Sequence, residues 1–308
     1  MQKKMLSLNN HSINKIFKKL YLLIIDFFYV YGIKLKTQKT GENKNSVSTF
    51  IKYTATVQSF LESDKRFRRF RQSPFYKIVL EHVDMDLANK YLKQVNFLLE
   101  GENFNPYFNA MVRNDSVGSP DLLKFDFGSV SGTSLRYCKV YIEIKTLFNM
   151  NHIKDIAEIG GGYGGQALIF DTLHQPLIKY KIFDLPVVVK LIERYLNSYF
   201  LNTSFSASDI NFQSKQKKFD LVISNYAFSE LPRNLQEIYM SKVILNSRSG
   251  YLTMNTGLVK ASEKVLSGEK NIRKFTSEEL IKIIPGARLI EETPLTSENN
   301  YIIVWGTN

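Results

Sequence analysis

The stretch whose residue types and spacing point most directly to chemistry is Glu158-Ile159-Gly160-Gly161-Gly162-Tyr163-Gly164-Gly165. It follows a short apolar run. A strand therefore ends there, and the glycines let the backbone turn tightly and approach a ligand before a helix starts with its amides facing the turn. Gly160, Gly162 and Gly165 also satisfy G-x-G-x-x-G, so a nicotinamide dinucleotide is one candidate ligand. Glu158 argues against it, because a carboxylate beside the turn repels a pyrophosphate and favours a cation.

Two further acids follow the next two apolar runs. Asp184, in Ile182-Phe183-Asp184-Leu185-Pro186, lies where a strand-end carboxylate can accept both hydroxyls of a ribose, with Leu185 placed to pack on a base. Asp209-Ile210 follows the third run, where the acid can accept from an adenine amino group. S-adenosyl-L-methionine, with an ammonium, a sulfonium and no pyrophosphate, matches this series of acids.

For a reaction that needs a proton removed, Glu230 is the best-placed base, in the loop after the fourth apolar run. It reads equally as a carboxylate at the start of the helix after Pro232. Arg136 and Tyr137, on the helix leading into the first strand, can reach a ligand carboxylate or the acceptor; a surface Arg beside a core Tyr fits the sequence nearly as well. Asn255 and Thr256 end the fifth strand and can orient a hydroxyl-bearing molecule. Among the histidines, His152 and His174 belong at the opposite edge of the sheet, His11 lies in the basic tail, and His82 sits on a cap helix. No compact acidic or histidine cluster points to a metal.

Glu158-x-Gly160-x-Gly162-x-Gly164 resembles the first motif of class I S-adenosylmethionine-dependent methyltransferases, and Phe219-Asp220-Leu221-Val222-Ile223-Ser224-Asn225 resembles their fourth-strand motif. More narrowly, these stretches resemble the bacterial sugar O-methyltransferase family, together with Phe183-Asp184-Leu185-Pro186, Ser224 to Leu231 and the upstream Ser134-Leu135-Arg136-Tyr137. The class-level resemblance covers residues 153–308, and the basic first 80 residues lie outside it. It implies cofactor contacts at Glu158, Gly160, Gly162, Gly164, Asp184, Asp209 and Asn225, a sugar or glycan acceptor, and a role in bacterial surface polysaccharide or glycan biosynthesis. Three other readings stay open: transfer to an amine or peptide-derived acceptor, nicotinamide oxidoreduction, and a non-catalytic binding module, which a turn occluded by Tyr163 would favour.

Positioning these residues requires a parallel sheet. From Ile153 onward, short apolar strands alternate with longer amphipathic segments: 156–159, 180–184, 205–207, 219–224, 250–255, 288–292 and 301–305, with helices starting near Gly165, Val187, Pro232 and Thr276. Thr276-Ser277-Glu278-Glu279 is a helix-start signal, and the last two strands have room only for an antiparallel hairpin. The predicted fold is thus α/β: the Rossmann-like class I methyltransferase fold, a seven-stranded, mostly parallel sheet with a C-terminal antiparallel hairpin, preceded by a helical cap. Residues 151–308 form the cofactor-binding domain, 49–150 a helical cap or substrate region, and 1–48 a basic helix and linker, with 36–48 as the linker.

In the cap, Phe75, Ile78, Val79, His82 and Val83, then Leu87, Tyr91, Val95 and Leu98, recur at helical spacing, while 103–132 reads as loops. A helix over 134–148 leads into the sheet. Lys65-Arg66-Phe67-Arg68-Arg69-Phe70-Arg71 reads first as a solvated helix face, and otherwise as a grip on a phosphate-bearing substrate or nucleic acid.

Hydrophobic residues at 44% of 308 support a buried core, and the one cysteine, Cys138, fits a reducing, cytoplasmic setting. The net charge of +12 lies wholly in residues 1–80, which hold 16 Lys/Arg against 4 Asp/Glu; the remaining body is balanced, so no nucleic-acid partner is expected. The apolar run Leu20–Tyr31 between lysines is too short to span a bilayer. It reads as a helix docked on the body or a second subunit, or as an interfacial helix giving peripheral contact at the inner membrane face.

Overall fold

The computed structural model describes residues 44–175, 177–212, 218–255 and 274–308. The N-terminal segment 13–36, most of the linker and Thr256 lie outside the described residues. Five helices come first: α1 (Lys44–Leu61), α2 (Asp64–Phe67), α3 (Pro74–Val79), α4 (Met85–Leu99) and α5 (Asn105–Asp115). A small antiparallel hairpin, β1 (Leu123–Phe125) and β2 (Gly128–Val130), then leads into α6 (Gly132–Leu147).

The rest alternates: β3 (Asp155–Ile159), α7 (Gly165–Leu173), β4 (Lys179–Phe183), α8 (Pro186–Leu196), β5 (Ser204–Ser208), β6 (Phe219–Asn225), α9 (Ala227–Glu230), α10 (Arg233–Lys242), β7 (Ser247–Met254), α11 (Ser277–Ile283), β8 (Arg288–Glu291) and β9 (Tyr301–Trp305). The sheet order is β5-β4-β3-β6-β7-β9-β8, with β9 antiparallel to both neighbours. This is the predicted class I methyltransferase fold. Thr276 caps α11 in a complete capping box, as its sequence signal required.

The cap departs from the sequence reading in three places. Helix α1 already runs at Lys44, inside the stretch that reads as linker. Helix α5 occupies the middle of the predicted loop region, because Tyr107, Ala110, Met111 and Asn114 return at spacings of three and four and bury one face. The stripe through His82 is broken: α3 stops at Val79, α4 starts at Met85 behind an Asp84 cap, and His82 lies in the loop between them.

The sheet is covered on both faces. Ile156, Tyr180, Ile182 and Ile223 face one buried cluster, which continues into the cap through Tyr76, Tyr91 and Val95. Ala157, Ile159, Phe183 and Val222 face the other, against Leu235 and Tyr239 of α10. Successive strand residues point to opposite faces, so this partition fixes where each acid on or after a strand can point.

Candidate active site

The strand order reverses between β3 and β6, and ligands of open α/β sheets bind at such a switch point beyond the strand C-termini. The glycine turn after β3 and the start of α9 after β6 are in direct apposition there. Gly160 has φ +77°, and a Cβ at that position would come within 2.1 Å of the Ala227 Cβ. Above this edge lies a cavity of about 740 Å³. Its floor includes Gly160, Gly162, Asp184, Leu185, Asn225 and Glu230. The α3–α4 loop supplies a second wall with Leu80, Glu81 and His82, and the β8–β9 loop a third with Thr296, Ser297 and Asn300.

Asp184 stands just past the end of β4, where it accepts from the Gly162 amide at 3.1 Å and the Leu185 amide at 2.7 Å. Each oxygen keeps a lone pair for a further donor. Burial pushes its carboxyl up to about 7, against the pull of those amides. Glu158, a predicted cofactor contact, does not line the cavity. It lies within β3 on the face of Ile156, opposite Ile182, is 2% exposed, and accepts from the Tyr180 hydroxyl at 3.1 Å. Burial, with the negative field of Asp184 adding to it, pushes Glu158 up to about 8.

The third predicted contact also lies off the cavity. Asp209 turns back on its own chain, accepting from the Asn211 amide at 2.8 Å, and Ile210 is fully buried in the cluster of Ile159 and Phe183. Neither lines the cavity. Gly164, with φ +93°, starts α7 and packs toward Leu196 and Ile192; it serves the turn from beneath rather than the cavity.

Four cavity-lining side chains carry buried polar atoms without a partner: Arg136 Nε, Asn225 Oδ1, Asn255 Oδ1 and Asn300 Oδ1. Such atoms cost free energy unless a ligand or water completes them. Arg136, on α6, is 7% exposed and pairs with no carboxylate among the described residues; its guanidinium lies 5.3 Å from the Tyr137 ring centre. Asn225 has a fixed orientation. Gln166 donates to the Tyr137 carbonyl, so its oxygen is left to accept from Asn225 Nδ2, and Asn225 Oδ1 is turned away from that contact.

Glu230 ends α9 and lines the cavity instead of starting α10. Tyr226, at φ +69°, carries the chain out of β6, and its hydroxyl bonds Glu292 and Thr296, tying the β8–β9 loop to the site. Reading the sequence missed this third wall and Glu81. A polar loop inside the predicted terminal hairpin was the available signal for the wall.

Arg71 joins the cap to the turn. It is fully buried, donating to Glu81 Oε1 at 2.6 Å and Oε2 at 3.2 Å, to Asp115 Oδ1 at 2.9 Å and to Ser131 Oγ at 2.8 Å. Its guanidinium sits 4.8 Å from the ring centre of Tyr163, the side chain within the glycine turn. Tyr163 is itself fully buried against Phe70, Tyr137 and Tyr195 and leaves the turn open to the cavity. His174 bonds the Ile153 carbonyl at the far edge of the sheet, as its position predicted.

No protein-family model matches the chain, and no curated protein matches it. Among solved structures it is similar to the magnesium protoporphyrin IX methyltransferase of Synechocystis with bound SAH, at 13% identity over 70% of this chain and 98% of that chain, with a TM-score of 0.40. It is also similar to a methyltransferase from Pyrococcus furiosus, at 13% identity over 65% of this chain and 95% of that chain, with a TM-score of 0.38. The strand order itself, with its antiparallel penultimate position, gives this chain the class I methyltransferase fold.

Proposed function

We propose that the chain is an S-adenosyl-L-methionine-dependent O-methyltransferase whose acceptor is a sugar hydroxyl. The observation that carries the reading is the polar lining of one cavity: a strand-end carboxylate at Asp184, open glycine backbone at Gly160 and Gly162, and the buried, incompletely bonded cation of Arg136. Asp184 would hold the ribose hydroxyls, Leu185 would pack on the adenine, Asn225 Oδ1 would accept from a ligand donor, and Arg136 would take the ligand's carboxylate. When bound, the cofactor supplies an electrophilic methyl group on a sulfonium.

The residues of the chain do the rest. The cavity walls would hold an acceptor hydroxyl beside the bound donor, which would lower the entropic cost of a bimolecular displacement. Glu230 takes the hydroxyl proton as the new bond to oxygen forms. Asn255, Thr296, Ser297 and Asn300 offer amide and hydroxyl groups suited to a polyhydroxyl acceptor. The sugar assignment itself comes from the resemblance of Ser134–Tyr137 and Ser224–Leu231. A non-catalytic module is the weaker reading, since Tyr163 is packed away beneath Arg71.

Incubation with methyl-labelled cofactor and separate nucleotide-sugar, glycan and amine pools tests the proposal. Label in a sugar-derived product supports it; label confined to an amine removes the sugar assignment, and no binding of the cofactor removes the enzyme reading altogether.

A further inference from the structure

We propose that the outer face of α2 and the turn after it docks on an anionic lipid surface, through Lys65, Arg66, Arg68 and Arg69. This surface is separate from the cavity, and the inference does not depend on the proposed methyl transfer. The run that interleaves basic and aromatic residues is sorted by the fold. Phe67 and Phe70 turn inward, their rings stacked with centres 5.7 Å apart, and Arg71 goes to the buried network with Glu81 and Asp115. The four remaining cations are all exposed.

Among the described residues none of the four forms an ion pair. The Arg69 side chain donates to Gln72 Oε1, at 2.9 Å. Of the nearest acids in sequence, Asp64 is neutralised by Arg194, while Glu62 accepts from Gln58 and keeps its charge. Arg194, paired with Asp64, lies over the Phe67 ring, 4.3 Å from its centre, and adds no net charge to the patch. The backbone that carries the cations is tied down, because the aromatic side chains between them are anchored in the core and the Arg68 carbonyl accepts from Ser119 at 2.9 Å. Four cations on one short turn, with no ion-pair partner among the described residues, make a positive patch on a body that is electrically balanced from residue 81 onward.

A lipid surface fits better than a nucleic acid. Residues 81–308 carry as many acids as bases and so bring no net positive charge to a phosphate backbone. The 43 residues that precede the described part hold the apolar run Leu20–Tyr31 flanked by Lys18, Lys19, Lys34 and Lys36. Apolar side chains next to lysines supply the insertion that a bilayer interface rewards, while clustered Lys and Arg near an anionic surface add attraction that falls off within a Debye length.

The test is co-sedimentation of the full chain at about 150 mM salt with phosphatidylcholine vesicles, alone or containing about 30% phosphatidylglycerol. Wild type is expected to sediment with the anionic vesicles only. The K65Q/R66Q/R68Q/R69Q variant, changed only at exposed positions and checked for folding by circular dichroism, should lose about tenfold or more of that binding. A K90Q/K93Q control on α4 should keep it. Equal binding to neutral vesicles, unchanged binding of the quadruple variant, or retention of a single-stranded RNA without vesicle binding would overturn the inference.

Discussion

Asp184 and Glu158 show how position on a strand decides what a carboxylate does. Asp184 has cleared the end of β4 and can turn into the cavity, whereas Glu158 is held within β3 among apolar side chains and Tyr180. Under the proposed function Asp184 accepts ribose hydroxyls in its ionised form. Burial pushes its carboxyl up to about 7, so cofactor affinity should rise between pH 6 and pH 8, and Asp184→Asn should flatten that rise. Asp184→Ala should weaken binding by about 1–3 kcal/mol, read by calorimetry. Glu158, raised in the same direction, bears on stability instead of binding. In the unfolded chain it loses its proton at about 4.3, but in the fold at about 8. Between those values the native state binds more protons, so this residue makes stability fall as pH rises. Glu158→Gln should remove that part of the slope, measured by urea melts at pH 5 and pH 8; an unaltered slope would contradict burial as the cause. Glu230→Gln should lower turnover and leave cofactor affinity nearly unchanged; an unaffected rate would exclude Glu230 as the base.

The elements that frame the site meet at one buried side chain. Arg71 holds Glu81 of the α3–α4 loop, Asp115 at the end of α5 and Ser131 at the cap of α6, while its guanidinium covers Tyr163 of the glycine turn. Asp115 in turn accepts from the Ser131 amide at 2.6 Å and the Ser134 hydroxyl at 2.6 Å, so the start of the helix that carries Arg136 depends on the same network. Removing the cation leaves two carboxylates with little exposure uncompensated. Arg71→Ala should therefore cost about 3–5 kcal/mol in a denaturant titration, and Arg71→Lys should recover only part, because an ammonium cannot match the planar fork. A loss below about 1 kcal/mol would show that the network is not what fastens the cap to the turn.

Across the whole molecule, the sheet was the legible part of the sequence. The seven apolar runs, the glycine turn, the capping signal at Thr276 and the terminal hairpin are local patterns, and each appears within a few residues of its predicted place. The cavity was less so. Asp184, Leu185, Asn225, Glu230 and Arg136 reach it, but Glu158, Asp209 and Ile210 do not, because their direction depends on strand register and loop closure rather than on spacing along the chain. Glu81 and Asn300 were hidden for a related reason: they come from loops brought over the sheet edge only by the packing of the cap and the last hairpin. The most direct test of the central claim is a structure of the full chain with S-adenosylhomocysteine. The ligand is predicted between the Gly160–Gly162 turn, Asp184 and Arg136; a ligand bound elsewhere, or no binding at saturating concentration, would contradict it.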